Sequence, residues 1–86
     1  MLLEQGMLVK SKAGHDKDCI YVIISVNDEY VYLAEGKVRT VCHTKKKNRK
    51  HVQVIYKVQH VSIADDVSVR NAIREYIRRN KDNQEL

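Results

Sequence analysis

The sequence predicts a mainly β domain, five short strands forming a closed or nearly closed barrel, followed by one C-terminal α-helix. Three observations carry this. The stretch from Cys19 to Val26 is dense in β-branched residues (Ile20, Val22, Ile23, Ile24, Val26), which favour a pleated, half-buried backbone. Further apolar-alternating runs are separated by short stretches rich in Gly, Asn and Asp. After about Ser62 the apolar period changes from two to 3.6. In a domain this small, closing the sheet removes edges that would otherwise aggregate.

The elements follow in order. Gly6 to Ser11 reads as a first strand, with Met7 and Val9 alternating with polar neighbours. Lys12 to Asp18 is a polar loop containing Gly14. Cys19 to Val26 is the long second strand, with Ile20, Val22, Ile24 and Val26 on one face and Cys19, Tyr21, Ile23 and Ser25 on the other. Asn27-Asp28-Glu29 is a turn. Tyr30 to Glu35 is the third strand, with Val31 and Leu33 opposite Tyr30, Tyr32 and Ala34. Glu35-Gly36 turns the chain into a fourth strand over Lys37 to Val41. Cys42 to Lys50 is a basic loop, and His51 to about Val61 is the fifth strand, alternating Val52, Val54, Tyr56 and Val58 with Gln53, Ile55, Lys57 and Gln59. Asp65 or Asp66 caps a helix whose stripe is Val69, Ala72, Ile73, Tyr76 and Ile77. This divides the chain into residues 1–61 as the barrel, 62–80 as the helix packed on it, and 81–86 as a disordered polar tail.

Composition narrows the class. Eighty-six residues allow one small domain with a small core. The chain has no Pro, Trp or Phe, and its aromatic residues are five tyrosines, so Val, Ile and Leu must build that core. Cys19 and Cys42 cannot make a disulfide framework and read as ordinary small hydrophobes. No apolar run reaches the ~20 residues of a membrane span, and no secretory segment is visible. These features predict a reduced, cytoplasmic, soluble protein.

The net charge of +5 is concentrated. Residues 41–60 hold six Lys/Arg and no acid, whereas the rest of the chain is nearly balanced. A local basic patch is the footprint of a polyanion binder. The segment HTKKKNRKH, His43 to His51, supplies Lys45, Lys46, Lys47, Arg49 and Lys50 for phosphate oxygens, Asn48 for a phosphate, 2′-OH or base edge, and His51. The first loop offers Lys12, His15 and Lys17 beside Asp16 and Asp18, and Arg39 is expected to join the patch. Arg70, Arg74 and Arg78 recur at helical spacing, as a second phosphate ridge or as a solvated face. Tyr30 and Tyr32 either stack on bases or pack on the sheet. Cys42, His43 and His51 lack zinc-ligand spacing. Paired acids, a nucleophile elbow and a phosphate-cradling Gly-rich loop are missing from the sequence. The expectation is a non-catalytic binder with no cofactor, no metal and no small-molecule substrate.

A Gly opening a strand, then Val9, a polar loop with Gly14 and Lys17, and a β-branched strand resembles the KOW motif. The ordered set SKAGHDKD, DEYVYLAEGKVR and KKKNRKHVQ is similar to small bacterial KOW-domain RNA-binding proteins, and through them to KOW-domain proteins of the archaeal and eukaryotic large ribosomal subunit. The likeness runs from about Gly6 to Val54. It implies an SH3-like (KOW) five-stranded barrel that binds structured RNA, plausibly ribosomal, in translation. The chain departs from the pattern with His15 where Arg is usual, Asp18 where Gly is usual, and His43 or Thr44 where Pro is usual. The helix lies outside the resemblance. A different class, a protein-protein interaction module using the barrel or the helix to hold a partner, also fits the sequence.

Overall fold

The computed structural model describes residues 2–55 and 60–84. Five strands form one antiparallel sheet: β1 (Leu8–Ser11), β2 (Ile20–Val26), β3 (Tyr30–Ala34), β4 (Lys45–Asn48) and β5 (Val52–Val54), in the order β4-β3-β2-β1-β5. A 3₁₀ turn, Arg49–His51, joins β4 to β5. One helix, α1 (Asp66–Gln84), follows. No helix among the described residues is long and apolar enough to cross a membrane.

Connectivity forces this sheet to curl. Laid flat, its two edge strands would be four spacings apart, ~19 Å. The four residue steps from Asn48 to Val52 span at most ~14 Å fully extended, and the three residues between them are wound into a 3₁₀ turn, which rises only ~2 Å per residue. The edges therefore approach at that end, although no ladder pairs β4 with β5 among the described residues.

The curl separates two apolar layers. Inside lie Val9, Tyr21, Ile23, Val31, Leu33, Val52 and Val54, with Leu3 covering them. Outside, Leu8 and Val22 meet Val69 and Ile73 of α1, and Ile20, Ile24, Ala72 and Tyr76 pack around them. The helix thus docks on the outer face of the roll. Val26 departs from the strict alternation expected for β2. The pairing steps from Ile23↔Leu33 to Ser25↔Tyr32, so a bulge inserts one residue and returns Val26 to the inner layer.

The fourth strand is not where alternation placed it. Lys37 to Arg39 forms bends and Val41 a turn, with an isolated bridge between Thr40 and His43. Glu35 Oε1 accepts from the Lys37 and Arg39 amides at 3.0 and 2.6 Å, which removes two donors a ladder would use. The expected basic loop supplies the strand instead: Lys45–Asn48 pairs with β3 in the register Leu33↔Lys45 to Tyr30↔Asn48. The fifth strand is shorter than expected, and the alternation expected at Tyr56 and Val58 falls outside the described residues. Ile55, expected on the polar side, packs in the outer layer. Asp65 caps α1 as expected, accepting from the Ser68 amide at 2.8 Å. The helix runs on to Gln84, through much of the expected tail.

Gly36 locks the helix to the sheet. It holds φ 90°, and a Cβ there would lie 2.5 Å from Arg70 Cγ and 2.7 Å from the Asp66 carbonyl oxygen. Arg70 Nη1 donates to the Gly36 carbonyl at 2.6 Å, and the Val41 amide donates to Asp66 Oδ1 at 2.9 Å. Gly36→Ala meets both a disfavoured φ and the helix backbone. It should cost about 2–3 kcal/mol, read as a lower urea midpoint by circular dichroism.

Candidate nucleic-acid interface

The interface is built where the β1–β2 loop folds over one end of the roll. Ser11 ends β1 fully buried, and Asp16 comes back to meet it. Asp16 Oδ1 lies 2.9 Å from Ser11 Oγ and 2.7 Å from Lys47 Nζ, and Asp16 Oδ2 lies 2.9 Å from both Tyr21 Oη and Lys45 Nζ. Lys47 Nζ also donates to the Ala13 carbonyl at 2.9 Å. The Asp16 and Lys47 side chains are each 10% exposed. Gly14 suits this loop because it holds φ 88°, a left-handed conformation that residues with a Cβ rarely adopt.

Burial pushes the Asp16 carboxyl up, but the hydrogen bonds from Lys47, Lys45, Tyr21 and Ser11 outweigh it and hold Asp16 well below the usual carboxylate range. Tyr21 is moved the other way, above the usual phenol range, by burial and by its hydrogen bond to the Asp16 anion.

This arrangement divides the expected phosphate contacts. Alternation along β4 sends Lys45 and Lys47 inward to Asp16 and puts Lys46 on the outer side, its Nζ 4.0 Å from the Tyr30 ring centroid. Asn48 Oδ1 accepts from the Lys50 amide at 2.9 Å and so caps the 3₁₀ turn. Arg49 Nη1 donates to the Asn27 carbonyl at 2.7 Å, tying the basic segment to the β2–β3 turn. Lys50 and His51 are exposed. The Lys12 amide donates to the His51 carbonyl at 2.8 Å, which brings the first loop, with exposed Lys12, His15 and Lys17, against the basic segment. Lys12, Lys17, Lys46 and Lys50 have no carboxylate partner among the described residues. All four are exposed to solvent, Lys12 and Lys17 on the first loop and Lys46 and Lys50 on the basic segment.

Arg39 lines a cleft beside α1 that Asp18 and Lys45 also line. Arg70 is committed to Gly36, and Arg78 pairs with Glu75 at 2.8 Å, so the helix arginines do not act as one ridge. Tyr30 and Tyr32 are half-buried, and Tyr32 Oη accepts from Asn27 Nδ2 at 3.1 Å. Cys19 and Cys42 are exposed rather than packed as core hydrophobes. Among the described residues no cluster of three His, Cys, Asp or Glu could hold a metal ion.

Asp16 is the residue that sequence reasoning missed. Its signal was one of two acids in a loop that also carries Lys12, His15 and Lys17, facing a period-two pair of lysines that only a strand would align.

Asp18 holds φ 73°, a left-handed conformation that costs a non-Gly residue steric energy. Asp18→Gly should stabilise the fold by about 0.5–1 kcal/mol. An unchanged or lower melting temperature would contradict that reading of the loop.

In sequence comparison the chain matches no protein-family model and no curated protein.

Proposed function

We propose that the protein is a non-catalytic RNA-binding module, an SH3-like barrel of KOW type whose basic rim clamps the phosphates of structured RNA such as ribosomal RNA. The observation that carries this reading is the joining of the first loop to the basic segment through the Lys12–His51 backbone hydrogen bond. That bond sets the first loop, with exposed Lys12 and Lys17, beside the basic segment, whose Lys46 and Lys50 are also exposed, and in this reading the four make up the rim. Lysines on such a rim meet phosphate oxygens and release condensed counterions. RNA helices are recognised mainly through shape, backbone and 2′-OH, which suits a rim of lysines better than a base-reading code.

Two further features agree with a KOW-type barrel. The edge strands are joined by a single 3₁₀ turn, the connection a nearly closed five-stranded roll requires. Asp18 is left-handed at the position where the resembled pattern carries Gly. Lys45 and Lys47 take a different role in this reading: they hold the loop in shape through Asp16, and Lys46 and Lys50 make the contacts.

The test is an electrophoretic shift of the protein with ribosomal RNA fragments, tRNA and duplex DNA at several salt concentrations. Preference for RNA with a steep salt dependence is the expected result. Equal weak binding to all three, or none, would remove the reading.

A further inference from the structure

A cleft of about 660 Å³ opens between α1, the 35–39 turn and the start of β2. Its apolar floor includes Ile73, Ile77 and Val38. Val38 is 83% exposed and Ile77 49% exposed, so both present bare apolar surface to the opening. Lys37, Arg39 and Arg74 also line it, and their side chains are exposed with no acidic partner among the described residues. The acids of the lining are Glu35, whose Oε1 is taken by two backbone amides, and exposed Asp18. Lys45 lines the cleft while its Nζ stays on Asp16, so the cleft adjoins the Asp16 cluster.

Unpartnered cations around an apolar floor call for an anion with a flat apolar part. The volume is that of a small-ligand site, roughly 300–1,000 Å³, rather than the long trough that seats a peptide helix. Unpaired nucleobases pack between apolar side chains and on arginine guanidinium planes, and arginines also reach phosphate.

We propose that this cleft binds a nucleoside phosphate, free or as an unpaired residue of a bound RNA strand. The base lies on Val38, Ile73 and Ile77, and the phosphate lies against Lys37, Arg39 and Arg74. The proposal deepens the RNA-binding reading and rests on it for the strand-borne form of the ligand.

Amide chemical shifts of the ¹⁵N-labelled full chain test it. AMP, a short single-stranded RNA and a blunt RNA duplex are titrated in parallel into wild type and the surface variants Ile77→Glu and Arg74→Glu. The expected result is that AMP and the single strand shift the amides of Val38, Ile73 and Ile77, and that both variants weaken single-strand binding about tenfold with duplex binding unchanged. Cleft shifts with AMP alone support the free-nucleotide form. Shifts confined to Lys12, Lys17, Lys46 and Lys50 overturn the cleft proposal and leave the rim reading standing. If the rim shifts with neither RNA, the RNA reading fails, and the AMP titration still decides the cleft: cleft shifts retain it, and their absence overturns it.

Discussion

Asp16→Asn should destabilise the fold by about 3 kcal/mol, although Asp16 belongs to a loop and its replacement is nearly isosteric. The reason is Lys47. Its side chain is 10% exposed, and its ammonium meets one carboxylate oxygen at 2.7 Å. Breaking a buried pair leaves an uncompensated charge, and such changes cost about 3–5 kcal/mol. The total stability of a chain this size is about 4–13 kcal/mol. The loss should therefore be plain in a urea titration.

A double-mutant cycle separates the pair from generic damage. Asp16→Asn with Lys47→Met removes both charges and fills the Lys47 space with an apolar side chain. The double variant should be more stable than the sum of the singles implies, by about 2 kcal/mol. Strict additivity would mean that Asp16 and Lys47 do not share an interaction.

The pH dependence has a definite sign. Asp16 is held below its unfolded value of about 3.9. Its contribution is therefore complete above that value and is lost as pH falls further, while the carboxylate takes up its proton. Wild type should lose stability more steeply than Asp16→Asn as pH drops below about 4. Parallel profiles would place the acid-sensitive interactions elsewhere.

The second large effect concerns binding. Neutralising Lys12, Lys17, Lys46 and Lys50 together, each to Gln, should remove most of the phosphate contacts. Each lost contact flattens the slope of log K against log salt by about 0.7–0.9, so the four together should flatten it by roughly 3. Lys45→Gln and Lys47→Gln should behave differently. They weaken the Asp16 cluster, lowering stability, without a matching change in slope. The first set is solvent-facing and the second set is turned inward, and that difference in direction is the physical basis of the contrast.

Much of the sheet was legible in the sequence, because β2 rests on a β-branched run and β1 and β3 on alternating apolar residues, bounded by turn residues. Asn27 illustrates it: its side-chain oxygen accepts from the Glu29 and Tyr30 amides, as a turn-forming Asn should. The helix stripe was legible for the same kind of reason, since Val69 and Ile73 are buried at its centre. The fourth strand was not. Lys45–Asn48 has low intrinsic strand preference and is held extended by pairing with β3, a tertiary effect. Lys37 to Val41 carries a strand-like pattern, yet Glu35 takes its amides and Gly36 must reach α1.

The candidate site was legible in composition and not in geometry. The first loop and the basic segment do come together. Within the segment, however, direction decides function: Lys46 and Lys50 face solvent, Lys45 and Lys47 face Asp16, and Arg49 and Asn48 are engaged with backbone. A run of lysines read without its strand register cannot separate those roles. Arg39, thirty-four residues from Ile73 in sequence, shares a cleft with it because the helix returns across β2.

The most direct test of the central claim is the salt dependence of RNA binding, measured on one structured RNA by fluorescence anisotropy. Wild type is compared with the Lys12, Lys17, Lys46, Lys50 variant after circular dichroism has established that both are folded. A steep wild-type slope that flattens by roughly 3 in the variant is the predicted result. The same slope in both proteins would show that the basic rim does not hold the RNA.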